Sequence, residues 1–157
     1  IAQLVNVIAP IRAETDQAAW RQTTFFPFAY TSRFGRGKTL ITRVEAPAIK
    51  SSRFGDVDAI DAITTYDEKS NKVAIFVVNR SLTETIDTEI LLSGFKNLKI
   101  EDQVTMASTD WMATNNASNP TRVEPSVAKS ATVSTNSIQV KLAPVSWQVI
   151  HLSVESD

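Results

Sequence analysis

The sequence holds 157 residues, 43% hydrophobic and 21% charged, which is enough for one sizeable core and too apolar for a disordered chain. Sixteen basic residues against seventeen acidic ones leave a formal net charge of −1, which argues against nucleic acid and anionic membrane surfaces as partners. Cysteine is absent, so disulfides and thiol chemistry are excluded, and no apolar run nears the roughly 20 residues that span a bilayer.

The chain opens on IAQLVNVIAPIR, residues 1–12, a near-continuous apolar run broken by Gln3 and Asn6. Such a run reads as a strand buried on both faces, the kind found inside a parallel sheet. It carries no basic leader and no small-residue cleavage site, so it does not read as a signal peptide. The rest of the chain offers no parallel neighbours, and we read the chain as the end of something longer. Pro10 and the polar residues 12–19 predict a loop. Residues 19–37, AWRQTTFFPFAYTSRFGRG, predict a helix capped by Thr23 or Thr24, with Pro27 in its first turn. Phe25, Phe28, Ala29 and Ser32 are expected to share one face, and Gly35 and Gly37 to stop the helix. Strand, loop and amphipathic helix make half of a β/α unit, the repeat of a parallel barrel.

From Lys38 the grammar changes to short strands. Residues 39–44 predict a strand, 45–58 a Pro- and Ser-bearing connection, and 61–66 with 72–79 a hairpin around DEKSN. KVAIFVVN is apolar enough to be central in a sheet. Residues 83–92 alternate in part and predict a strand with one wet face, although their Glu and Leu content leaves a helix open; Gly94 and Phe95 break it. Residues 100–108 predict another strand. Residues 109–130 predict a long polar loop with a short strand near 121–124. Strands at 131–134, 137–142 and 146–154 close the chain. In the last, Trp147, Val149 and His151 alternate with Gln148, Ile150 and Leu152. Many short strands at this spacing predict an antiparallel β-sandwich, so the fold class is mainly β, with a boundary between residues 1–37 and 38–157.

His151 is the only histidine, so no multi-histidine metal site exists, and a Ser-His-Asp arrangement has no recognisable partners. FGRGK lacks the spacing of a phosphate-binding loop. No metal and no cofactor is expected. Trp147 reads as core, Trp20 as packing on the helix, and Asn6 as a residue satisfying loop backbone. Arg21 reads as an ion-pair or capping residue. Trp111 reads as core or interface ahead of sugar stacking. The triplets at Asn79 and Asn116 match the glycosylation signal at chance level.

AQLVNVIAPI, followed by AWRQT, FFPFAYTSR and FGRG, resembles the end of the catalytic barrel in the family 51 α-L-arabinofuranosidases. IFVVNRS, TNNASNP, VEP and SWQVIHL agree in order. The resemblance implies a jelly-roll-like sandwich preceded by the terminal strand–helix unit of a (β/α)8 barrel. Residues 1–10 would be the eighth strand with its exit loop, 19–34 would hold the eighth helix, and 38 onward would form the sandwich. It also implies a cytoplasmic homo-oligomer that removes terminal arabinofuranosyl residues from arabinan and arabinoxylan, with retention of configuration and two catalytic Glu residues. The implied partners are arabinofuranosyl oligosaccharides and the catalytic barrel domain.

One site residue carries over. Gln3 matches the Gln of the family's AQLVN motif, which hydrogen-bonds the arabinofuranose, and a neutral amide can both donate to and accept from a sugar hydroxyl. The family's Asn-Glu pair, and the Glu before its Trp-Asn segment, have no counterpart. Glu14, Asp16, Glu45 and Glu101 lie in unmatched polar contexts. A retaining glycosidase needs two carboxyl groups roughly 5–5.5 Å apart, so no catalytic residue is assigned and this chain alone is expected to be inactive. The alternative is a free-standing carbohydrate-binding or scaffold sandwich.

Overall fold

The computed structural model describes residues 5, 6 and 8–156. After a two-strand hairpin, β1 (Ile11–Arg12) with β2 (Trp20–Arg21), comes the helix α1 (Phe25–Phe34). The strands β3 (Lys38–Leu40), β4 (Ala48–Ser51), β5 (Gly55–Asp58), β6 (Ile60–Asp67) and β7 (Lys72–Asn79) follow. The remainder is β8 (Ile86–Leu91), β9 (Phe95–Ala107), β10 (Ser126–Val127), β11 (Thr132–Val133), β12 (Ser137–Leu142) and β13 (Ser146–Ser156). The main sheet has six strands in the order β10-β9-β13-β7-β6-β3, and a three-stranded sheet, β11-β12-β8, packs on one of its faces. All their pairings are antiparallel.

The β6–β7 hairpin forms where the sequence places it. In its turn, Asp67 accepts hydrogen bonds from the Ser70 hydroxyl at 2.7 Å and the Lys69 amide at 3.1 Å. The Ser70 bond is the main cause holding the Asp67 carboxyl below its usual range. KVAIFVVN lacks alternation because β7 is covered on both faces. Val73, Ile75 and Val77 enter the sandwich core with Ile60, Ile150 and Leu152, opposite Ile138, Val140 and Leu142. Burying each such side chain fully is worth about 1.5–3 kcal/mol. Ala74 and Phe76 face the other way, into a smaller core with Phe34, Val104 and Val149 under α1. The alternation read in the last strand is present: Val149 lies in the helix-side core and Ile150 in the sandwich core.

Several expectations change. The run 1–12 is not one continuous strand: the chain turns at Asn6, whose φ is +61°, and the Ala9 amide donates to the Asn6 carbonyl at 2.9 Å. Residues 1–4 and 7 lie outside the described residues. The loop expected at 12–19 turns a hairpin, because 11–12 already pair with 20–21. On α1 the buried face is Phe26, Tyr30 and Phe34, four apart, whereas Phe28 is 58% exposed and Ser32 is exposed. The strand beneath decides this. Tyr30 meets Trp147 at 5.9 Å between ring centroids, and Phe34 stacks on His151 at 4.4 Å. Thr24 stands at the N-cap without a side-chain cap bond, and the Gly35 amide closes the other end on the Thr31 carbonyl at 2.8 Å.

The connection 45–58 contains the β4–β5 hairpin, its turn held by the Ser51 hydroxyl, which accepts from the amides of Arg53 and Phe54. β9 begins at Phe95, earlier than expected, and the short strand of the polar loop lies at β10 rather than 121–124. Between α1 and β3, Gly37 has φ +77°, and a Cβ there would collide with the Tyr66 carbonyl oxygen. Among the described residues, no helix is long and apolar enough to cross a membrane.

Candidate functional site

Gln3, the one site residue carried over from the sequence, lies outside the described residues. Val5, Asn6 and the residues from 8 onward are described, and they make a hydrogen-bonded turn. Asn6 donates its amide to the Ile11 carbonyl at 2.7 Å and accepts from the Ala13 amide through Oδ1 at 2.7 Å. It therefore fastens the turn, as its reading from sequence had it. The Gln22 side-chain amide donates to the Ala9 carbonyl, and its backbone amide to Pro10 at 2.8 Å, closing the loop on itself.

Trp20 is buried. Its indole Nε1–H donates to the Asn115 carbonyl at 3.1 Å. Asn115 is itself buried, and its side chain has three bonds. Nδ2 donates to the carbonyls of Arg21 and Val123 at 3.0 Å each, while Oδ1 accepts from the Val123 amide at 2.8 Å. One amide thus joins the β1–β2 hairpin to the long loop between β9 and β10. The sequence reading missed it, since nothing in TNNASNP marks which Asn turns inward toward a partner 94 residues away. Arg21, read as an ion-pair or capping residue, has its guanidinium over the Phe25 ring at 5.1 Å.

The acids singled out from the sequence do not converge on a pocket. Glu14 accepts from the Gln17 side chain at 3.4 Å, Asp16 and Glu45 are exposed, and Glu101 pairs with Lys72 across the sheet. The Lys72 hydrogen bond is the main cause lowering the Glu101 carboxyl below its usual value. His151 has Asp102 Oδ2 at 3.4 Å from its Nδ1 and Phe34 against its ring, a packed position. Among the described residues no group of three His, Cys, Asp or Glu could hold a metal.

The described residues leave concavities on the surface. A shallow one of about 570 Å³ beside α1 is lined by Thr31, Asp61, Phe76 and Trp147. A groove of about 880 Å³ runs between residues 40–47 and β8, with Ile75 and Val77 in its lining. Glu45, Asp87 and Glu89 also line it, and Asp87 is paired with Lys141 at 3.2 Å. Of the three tryptophans, Trp20 is buried, Trp147 is half-buried against the helix, and Trp111 is 60% exposed.

A family model described as the alpha-L-arabinofuranosidase C-terminal domain matches residues 1–146. The chain is 38% identical over 156 residues to intracellular exo-alpha-(1->5)-L-arabinofuranosidase 1 of Bacillus subtilis (strain 168), covering 99% of this chain and 31% of that relative. It is 35% identical to an exo-alpha-(1->6)-L-arabinofuranosidase of Bifidobacterium longum, covering 97% of this chain and 30% of the relative. Its fold matches a family 51 alpha-L-arabinofuranosidase from Bifidobacterium longum with a TM-score of 0.88 at 37% identity, covering 96% of this chain and 29% of that one. The chain thus spans less than a third of the length of these relatives. With an antiparallel sandwich, a helix laid on its outer face and this match along nearly its whole length, the chain belongs to the α-L-arabinofuranosidase C-terminal domain family.

Proposed function

We propose that this chain is the C-terminal region of a retaining α-L-arabinofuranosidase that removes terminal arabinofuranosyl residues from arabinan and arabinoxylan oligosaccharides. The observation that carries the reading is 38% identity to one such exo-acting relative across 99% of the chain. Residues 1–37 belong to the last unit of the catalytic barrel, and residues 38–157 form the sandwich that buttresses it and the homo-oligomer. Gln3 lines the sugar pocket. The catalytic Glu pair lies outside this chain, which is inactive alone, and the scattered acids Glu14, Asp16, Glu45 and Glu101 support that reading. The names of two relatives place them inside the cell, which supports a cytoplasmic location. Relatives at 38% and 35% identity are named for different linkages, so the reading names the sugar and not the bond.

The test is hydrolysis of an aryl α-L-arabinofuranoside by this chain and by its full-length protein. The full-length protein is expected to release the aglycone with retained anomeric configuration, seen by proton NMR, and this chain to release none. Gln3→Ala in the full-length protein is expected to lower kcat/KM at least tenfold, since a site built to hydrogen-bond a hydroxyl discriminates strongly. Turnover by the isolated chain sinks the reading.

A further inference from the structure

Asn115 ties down more of the chain than its own loop. Its Nδ2 donates to the Arg21 carbonyl at 3.0 Å, and its own carbonyl accepts from the Trp20 indole at 3.1 Å. The loop between β9 and β10 therefore grips β2. β2 in turn carries β1, since Arg21 pairs with Ile11 and Trp20 with Arg12. From β1 the path runs back into the opening run. Val5 bridges to Ile11, the Asn6 amide donates to the Ile11 carbonyl at 2.7 Å, and the Asn6 side chain accepts from the Ala13 amide.

The two ends of this path differ in what holds them. At the sandwich end Asn115, Trp20 and Val123 are all buried, and Asn115 is fixed by both atoms of its amide. At the other end β1 and β2 are two residues each and, among the described residues, join no larger sheet. A two-stranded hairpin is marginal in water even at full length, so the grip at Asn115 supplies the hold that the ladder lacks. Gln3 stands two residues before Val5 in the sequence, and its Cα is therefore within about 7 Å of that anchored residue. A group that binds substrate works only when held in place, and a misplacement of about 1 Å can cost a hundredfold in rate.

We infer that Asn115 is a positioning residue: through β2 and β1 it fixes the opening run that carries Gln3, and a loop of the sandwich thereby acts on arabinofuranose binding. This rests on the reading of Gln3 as a sugar ligand in an arabinofuranosidase. The test has two arms. In this chain, Asn115→Ala is expected to speed hydrogen exchange at the amides of Asn6, Ala9 and Gln22 about tenfold or more, while β7 and β13 keep their protection. In the full-length protein, kcat/KM on an aryl α-L-arabinofuranoside is compared for Asn115→Ala, Gln3→Ala and the double variant. Asn115→Ala is expected to lower kcat/KM about three- to tenfold beside Gln3 and to change nothing in the Gln3→Ala background, because a residue that acts through another adds no loss once that one is gone. A purely structural role would cost the same factor in both backgrounds. Trp20→Phe removes the indole donor to the Asn115 carbonyl and is expected to show the same pattern more weakly, which keeps the test open should Asn115→Ala fail to fold. Equal factors in both backgrounds, or unchanged exchange at Asn6, Ala9 and Gln22, overturn the assignment and leave the enzyme reading standing. An undiminished kcat/KM in Gln3→Ala overturns it too, by removing Gln3 from the pocket. A full-length protein that hydrolyses no arabinofuranoside overturns the enzyme reading, and this assignment with it.

Discussion

The six-stranded sheet meets the small sheet with aliphatic side chains and meets α1 with aromatic ones. On the first face Val73, Ile75, Ile150 and Leu152 are almost wholly dry against Ile138 and Leu142. On the second, Phe34, Phe76, Tyr30, Trp147 and His151 meet as rings with centroids 4.4 to 6.4 Å apart, and Tyr30 and Trp147 keep part of their surface in water. Branched aliphatics interdigitate and tolerate no gap, while rings make fewer, larger contacts that survive partial wetting. The aliphatic face therefore carries the fold, and the aromatic face holds a helix whose opening is a separate and smaller event.

The sharpest way to break this contrast is to cut one residue from each face. Ile150→Ala is expected to cost about 3–4 kcal/mol and to lower the denaturant midpoint of the whole chain. Phe34→Ala, on the other, partly wetted face, is expected to cost about 3 kcal/mol, appearing as lost amide protection in α1 while β7 and β13 stay protected. Equal loss of protection in both places would mean that the two faces unfold together. Asn79 asks whether polar groups at the end of the dry face matter as much. Its Nδ2 donates to the carbonyls of Glu84, Leu142 and Ala143 at 2.8 to 3.0 Å, and its Oδ1 accepts from Ser81. Asn79→Ala strands those buried carbonyls, for about 1–3 kcal/mol in urea unfolding.

The smallest effect lies at the sheet's wet margin. Lys72 lowers the Glu101 carboxyl in the folded state, so its contribution is present above the unfolded carboxylate pKa and is lost as pH falls through the folded value. Glu101→Gln is expected to flatten the acid limb of the stability–pH curve by less than about 1 kcal/mol, because both partners are partly solvated. An unchanged acid limb would show that the pair contributes nothing.

Local pattern was enough for β6, β7, β12 and β13, whose apolar runs and turn residues sit next to one another in the chain. β8 settled as a strand because β12 pairs with it from end to end. The β4–β5 hairpin stayed hidden because Pro47 and the Ser51-Ser52 pair read as punctuation, when Ser51 in fact stitches the turn. The buried face of α1 was misread because Phe25, Phe26, Phe28 and Phe34 give two overlapping stripes, and only Trp147 and His151 beneath choose between them. Asn115 and Gln103 were silent for a related reason. Gln103 joins Ser130, Ala131 and Gln148, positions far apart in the chain that come together only when the sandwich closes. The apolar run at the start announced a family more clearly than a structure, since Asn6 turns it where hydropathy alone runs straight on.

Gly37 bears on how any upstream portion is aimed. With the Tyr66 carbonyl pressed against the space a methyl would need, and Lys38 already paired to Tyr66, the chain passes from helix to sheet without slack. A hinge needs residues free to rotate, and at Gly37 the close approach of Tyr66 removes that freedom. Lengthening it by a few glycines would cost little in loop entropy, yet it would let the helix swing and misalign whatever it carries.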